Sequence, residues 1–154
     1  MTTPDAQGTP AREPASGWFE ASRFVFPVRV YYEDTDLSGL VYHASYLRFM
    51  ERGRSEFLRM SGAGHKGLLE AEEPLAWAVY RMEIDFRRPA RIEDALLVTT
   101  AVRAVTPARM RLEQGVSRGS ETLVSALVEV CVITLDGRPR RVPDAIRYKL
   151  ASFL

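Results

Sequence analysis

Apolar residues recur at two different periods along this chain. Over 24–33 they alternate: Phe24, Phe26, Val28, Val30 and Tyr32 fall on one side, and Arg23, Val25, Arg29 and Tyr31 on the other. That is the period of a strand, and Pro27 within it points to an edge position or a bulge. Asp34-Thr35-Asp36 breaks the strand, and Ser38-Gly39 continues the turn. From 44 or 45 to 60 the period becomes helical. Tyr46, Phe49, Met50, Gly53, Phe57 and Met60 share one face, Leu47 and Leu58 widen it, and Arg48, Arg52, Ser55 and Arg59 lie opposite. Gly53 costs about 1 kcal/mol relative to alanine inside a helix. A close backbone approach to a sheet would account for it. Ser61-Gly62 is a stop signal, with Gly62 or Gly64 as the breaker.

Residues 65–73 read as a loop or a short helix. Period two then returns. Met82, Ile84 and Phe86 alternate with Arg81, Glu83 and Asp85 until Pro89 ends the run. Further strands are predicted over 96–104 and 110–116, and Arg118-Gly119-Ser120-Glu121 forms a tight turn. The apolar run 122–135 predicts a central strand buried on both sides, with Cys131 in the core. Asp136-Gly137 turns that strand, and 143–150 predicts a short final helix. Residues 1–20, rich in Pro, Gly, Ala, Thr and Ser, predict a disordered tail whose end Trp18 and Phe19 dock onto a single domain over 21–154. The order is strand, long helix, then four strands. It predicts an α+β fold: a five-stranded antiparallel sheet on which the helix lies. The helix is apolar over nearly half its circumference, so the sheet should curve around it.

Composition narrows the function. The 154 residues suit one core, and 21 basic against 20 acidic residues give no reason to expect nucleic-acid or membrane-surface binding. One cysteine excludes an intrachain disulfide, and with only two histidines, His43 and His65, the ligand count of a structural zinc site is not met. No apolar run is long enough to span a bilayer and no hydrophobic leader core is present, so a cytoplasmic location is expected.

The chemistry gathers in 31–47, YYEDTDLSGLVYHASYL, which holds Glu33, Asp34, Asp36 and His43. Asp36 stands just ahead of a helix N-terminus, where unpaired N–H groups and the macrodipole favour an incoming carbonyl oxygen. A carboxylate there can serve as nucleophile or as general base on water, for acyl transfer or ester hydrolysis without a metal. Asp34 and Asp36 equally fit plain turn and capping roles. His43 equally fits a cap, Tyr42 and Tyr46 packing, Gly39 a positive φ, and Glu51 a solvated helix position.

The stretch VYYEDTDLSGLVYHASYLRFMERGRSEFLR resembles the signature of the 4-hydroxybenzoyl-CoA thioesterase superfamily, and most closely its YbgC-type, Tol-Pal-associated branch. The pattern is an aromatic residue, D-x-D (Asp34-Thr35-Asp36), Gly39, the apolar pair Leu40-Val41, then Tyr42 and His43. Leu37 and Ser38 depart from the small or Pro/Gly-rich residues often found there. The resemblance implies a hotdog fold and hydrolysis of a small or fatty acyl-CoA, with Asp36 catalytic and Asp34 fixing its turn. It implies that the backbone N–H of His43 polarises the thioester carbonyl, with the imidazole as a second participant. Gly39, Val41, Tyr42 and Tyr46 would bind substrate. No cofactor is implied, because coenzyme A is part of the substrate. Arg87, Arg88 and Arg109 are candidates for its phosphates. The resemblance also implies a homodimer paired edge to edge, or a tetramer, and acyl carrier protein as a possible partner. Glu51 is a rival carboxylate, since some hotdog lineages place theirs on the helix. The alternatives are a non-catalytic acyl-binding or scaffold protein, and a hotdog dehydratase.

Overall fold

The computed structural model describes Glu13, Pro14 and residues 16–154. Its strands are β1 (Trp18–Glu20), β2 (Arg23–Arg29), β3 (Leu75–Phe86), β4 (Ala95–Val105), β5 (Met110–Arg118), β6 (Glu121–Thr134) and β7 (Pro139–Arg140). They form one antiparallel sheet in the order β1-β2-β4-β5-β6-β3, with β7 paired to β6. The helices are α1 (His43–Met60), α2 (His65–Leu69) and α3 (Asp144–Ala151). With α1 packed on one face of the sheet, this is the α+β hotdog arrangement expected.

Among the described residues seven strands replace the five expected. The five long ones are where the alternation put them, except that the strand expected over 24–33 ends at Arg29 because Tyr32–Asp34 winds into a 3-10 turn, and β1 and β7 are short additions. β1 forms because Ala21 accepts a positive φ of 54°, which folds Trp18–Glu20 back onto β2. Phe19 then meets the Phe24 ring edge-on at 5.0 Å and stacks on Phe153 at 5.2 Å. The docking of Trp18 and Phe19 is therefore strand pairing, and the tail expected to 20 ends earlier. The remainder of that expectation, residues 1–12 and 15, lies outside the described residues. Pro27 sits beyond the reach of β1, where β2 has a neighbour on one side only.

β6 is not buried on both sides. It lies between β5 and the edge strand β3, and alternates along its length. Val124, Ala126, Val128, Val130 and Val132 face inward, whereas Leu127 is exposed and Cys131 is half-buried on the outer face. Long apolar runs do not require two covered faces when the outer side chains shield one another within the sheet.

The helix runs as its wheel predicts. Tyr46, Phe49, Met50, Gly53, Phe57 and Leu58 are buried, although Met60 is exposed in the last turn and Leu47, expected to widen the face, is exposed too because the sheet covers only the Leu58 side. Gly53 meets β4 so closely that an added Cβ would stand 2.7 Å from Val98 Cγ1. Gly62, at φ 78°, ends the helix in a Schellman motif: its N–H reaches Arg59 O at 3.2 Å and Ala63 N–H reaches Leu58 O at 2.8 Å. Arg54, one residue beyond Gly53, is buried against the Gln114 amide. Its Nη1 donates to Gln114 Oε1 at 2.9 Å, and Gln114 Nε2 donates to Met50 O and Thr100 Oγ1 at 3.0 and 2.9 Å.

Gly53→Ala should lower stability in urea denaturation by about 1–2 kcal/mol, because overpacking outweighs the gain in helix propensity. In a double-mutant cycle Val98→Ala should recover part of that loss. Independent, additive losses would show that the two groups do not compete for space.

Candidate active site

The loop between β2 and α1 is built on Asp34. Tyr32–Asp34 forms one 3-10 turn, and the buried Asp34 carboxylate accepts Tyr31 N–H at 2.8 Å. Its carbonyl accepts Tyr42 N–H at 2.9 Å and the Ser45 hydroxyl at 3.0 Å. One buried residue thus ties the end of the first segment to the first turn of α1. The chain between doubles back as a small hairpin. Thr35 pairs with Val41, Asp36 N–H donates to Leu40 O at 2.9 Å, and Gly39 takes a φ of 75°. Val41 N–H donates to Ala90 O at 2.9 Å, which docks the hairpin on the β3–β4 connection.

Asp36 is exposed on this hairpin. Its Oδ1 accepts both the hydroxyl and the N–H of Ser38, the latter at 2.8 Å. Among the described residues its Oδ2 has no donor. The Ser38 hydroxyl, then the Ser38 N–H, hold the carboxyl below the usual aspartate range. Leu37-Ser38, the departure noted in the sequence, thus leaves the carboxylate in place and gives it a hydroxyl donor.

Asp36 opens on a cleft of about 410 Å³. Val41, Tyr42, His43 and Tyr46 line it from the hairpin and α1, and Phe86, Arg87 and Arg88 from the end of β3. His43 is the first residue of α1. Among the described residues neither its N–H nor that of Ala44 has a protein acceptor, so the positive helix end faces outward unpaired. The exposed imidazole lies 4.4 Å from the Tyr42 ring and edge-on to Phe86 at 6.4 Å. Tyr46 is buried, and its hydroxyl accepts Ala90 N–H at 2.8 Å while its ring meets Phe86 at 5.8 Å. Burial pushes its phenol pKa up, so it stays neutral.

The structure therefore brings Asp36, Val41, Tyr42, His43, Tyr46, Arg87 and Arg88 together. Gly39 shapes the hairpin and is not in the cleft lining. Arg109 is elsewhere: its guanidinium lies 3.8 Å over the Tyr80 ring and pairs with Glu129 at 3.4 Å. It does not line the Asp36 cleft, because it stands at the start of β5, whereas Arg87 and Arg88 follow directly from the end of β3 beside that cleft. Glu51 is exposed further along α1 and lines a different hollow. Phe86 is the site residue that pattern reading missed. Its signal was an aromatic at a strand end, just before the Arg87-Arg88-Pro89 break. Among the described residues no group of three His, Cys, Asp or Glu could hold a metal ion, and no helix is long and apolar enough to cross a membrane.

Ser38→Ala should raise the Asp36 pKa toward the ordinary aspartate range, as read by carbon NMR titration. The sign follows from linkage. Folding lowers this pKa, so the ionised group stabilises the fold above the ordinary range and the contribution is lost as pH falls through the depressed value. An unchanged titration would remove Ser38 as the cause.

Residues 38–125 match the thioesterase superfamily. The chain is similar to the acyl-CoA thioesterase YbgC of Haemophilus influenzae, with 46 % identity over 112 residues, 73 % of this chain and 82 % of that protein. It is also similar to the acyl-CoA thioester hydrolase YbgC of Escherichia coli, with 38 % identity over 125 residues, 80 % of this chain and 92 % of that one. A crystal structure of a probable thioesterase from Bartonella henselae superposes with a TM-score of 0.75 at 46 % identity, covering 77 % of this chain and 98 % of the other. The cleft between the Asp36 hairpin and the start of α1 lies largely within the matched span, and the chain belongs to the thioesterase superfamily, in its YbgC-type branch of thioester hydrolases.

Proposed function

We propose that the chain hydrolyses acyl-CoA thioesters in the Asp36 cleft. One observation carries this reading: Asp36, whose Oδ2 has no donor among the described residues, and His43, whose N–H has no acceptor there, line the same cleft. The His43 N–H donates to the thioester oxygen, where negative charge develops, and the helix dipole adds to it. Asp36 either attacks the carbonyl carbon directly or takes a proton from an attacking water. In both routes the carbon–sulfur bond breaks, coenzyme A leaves as thiolate and is protonated, and the acid is released. Water completes the nucleophilic route by cleaving the acyl–Asp36 anhydride. The imidazole of His43, exposed at the same mouth, is a second participant. Val41, Tyr42, Tyr46 and Phe86 offer the acyl side an apolar wall. Arg87 and Arg88 offer cations to the phosphates. Arg87 has no ion-pair partner among the described residues, and Arg88 is held only by an exposed pair with Glu121 at 3.3 Å.

Asp36→Asn should reduce release of coenzyme A by about 1,000-fold or more, as loss of a nucleophile or base does. The circular dichroism spectrum and melting temperature should stay near wild type. The assay should span short, long and aromatic acyl-CoA and acyl carrier protein thioesters. Full turnover in folded Asp36→Asn protein would overturn the reading, and thioester binding without turnover in the wild type would favour a carrier or scaffold.

The protein also acts as a homodimer in this reading. β3 is 12 residues long and pairs only with β6, so its other edge presents unpaired backbone groups. Val79, Tyr80 and Phe86 are exposed along it. A long unpaired edge is a template for another strand, and a second copy of β3 satisfies it. Sedimentation equilibrium should show a dimer or a dimer of dimers, and Val79→Asp should shift it toward monomer. A monomeric wild type would refute the pairing.

A further inference from the structure

A second hollow, of about 180 Å³, lies between α1 and the first half of β3. One wall is apolar, with Leu58, Trp77, Val79 and Val130. The other is polar, with Glu51, Arg54, Ser55 and His65. Ser55 and His65 lie within hydrogen-bond distance, Oγ to Nε2 at 3.3 Å. Arg54 is the unusual member. It is 8 % exposed, and no carboxylate lies within ion-pair distance of it among the described residues. Its single hydrogen bond goes to the neutral Gln114 amide. Burial pushes its pKa down, and the more distant charge of Glu51 offsets only part of that. A buried guanidinium without an anion is a costly arrangement that a carboxylate in the hollow would relieve.

The edge pairing proposed above decides what this hollow faces. An antiparallel two-fold contact centred on the middle of β3, near Tyr80 and Arg81, exchanges the ends of the strand. Phe86 of one subunit, which lines the Asp36 cleft, then lies beside the start of β3 in its partner. Trp77 and Val79, which line the Arg54 hollow, are in that first half. The cleft of one subunit and the hollow of the other become one continuous space, with the reacting carboxylate at one end and Arg54 at the other.

We propose that Arg54 of the partner subunit, at the far end of this space, selects thioesters whose short acyl chain ends in a carboxylate. The inference rests on the thioesterase reading of the Asp36 cleft. The apolar wall takes the methylenes, and the guanidinium takes the far carboxylate. Ser55 supplies a hydroxyl donor beside it. Glu51 is exposed at the rim and remains hydrated, so it opposes the bound anion only weakly.

The test compares glutaryl-CoA with pentanoyl-CoA, which share a five-carbon chain and differ in the terminal carboxylate. For the wild-type dimer kcat/KM should favour glutaryl-CoA. In Arg54→Gln the glutaryl-to-pentanoyl ratio should fall by at least about 30-fold, chiefly through KM, as when one partner of a buried charge pair is removed. Arg54→Lys, which keeps the charge, should retain part of the preference. A wild type that favours pentanoyl-CoA, or a ratio unchanged in Arg54→Gln, overturns the proposal. If the wild type turns over no thioester, the hydrolase reading has failed, and calorimetric binding of both compounds to Asp36→Asn protein decides this one. Tighter binding of glutaryl-CoA by about tenfold or more, about 1.4 kcal/mol, supports it, and equal binding overturns it.

Discussion

The depth at which α1 lies on the sheet governs the rest of the molecule. That depth is set at Gly53, where the helix backbone approaches Val98 too closely for any side chain. A helix resting higher would pull its first turn away from the β3–β4 connection. The Tyr46 hydroxyl could then no longer accept Ala90 N–H, and Tyr46 would lose the Phe86 ring. Both contacts form walls of the cleft. The glycine therefore weakens the helix locally, and the packing it permits positions the site. The hydrophobic contact over the buried face of α1 is large enough to carry that loss many times over, at about 25 cal/mol per Å² of apolar area.

A second constraint acts at the other end of the site. Asp34, buried in a largely exposed loop, bonds Tyr31 N–H and O, Tyr42 N–H and the Ser45 hydroxyl. The hairpin carrying Asp36 is thus attached at both ends to fixed structure, through Asp34 on one side and Val41 to Ala90 on the other. Two aspartates two residues apart have opposite environments. One is buried, with its Oδ2 bonded to Tyr31 N–H. The other is exposed, with one oxygen bonded to Ser38 and, among the described residues, no donor to the other. The buried residue fixes the turn, and the exposed one faces solvent on the hairpin that the turn aims.

Much of this was legible in sequence, for local reasons. The 3.6 period of α1, the two-residue period of the long strands, and the breakers at Gly62 and Gly119 act over a few residues, and these elements lie close to their predicted bounds, except that the first strand stops at Arg29, four residues short. What was not legible depends on long-range pairing. β1 has three residues and no period of its own, and exists because Phe19 finds Phe24 and Phe153. β6 has the composition of a central strand, but the sheet order places it next to the edge, with Cys131 on the outer face. Arg54 sits one position from Gly53 on the wheel, and only the Gln114 network explains why its charge is buried. Arg109 and Arg87 look alike in sequence, and topology alone separates them.

The exposure of the site also carries an argument. In one subunit Asp36 and His43 stand open to water. A hydrogen bond from a helix N–H to a developing oxyanion is weak in bulk water and far stronger where water is excluded. In the reaction and dimer proposed above, a lone subunit would hold the donor groups at the start of α1 without the low dielectric that strengthens them. The unpaired edge of β3 runs to Phe86, which lines the cleft. A second subunit docked along that edge would cover the cleft beside Phe86 and exclude water from it. In that proposal the unpaired edge and the exposed carboxylate have one physical cause, and the same contact would complete both.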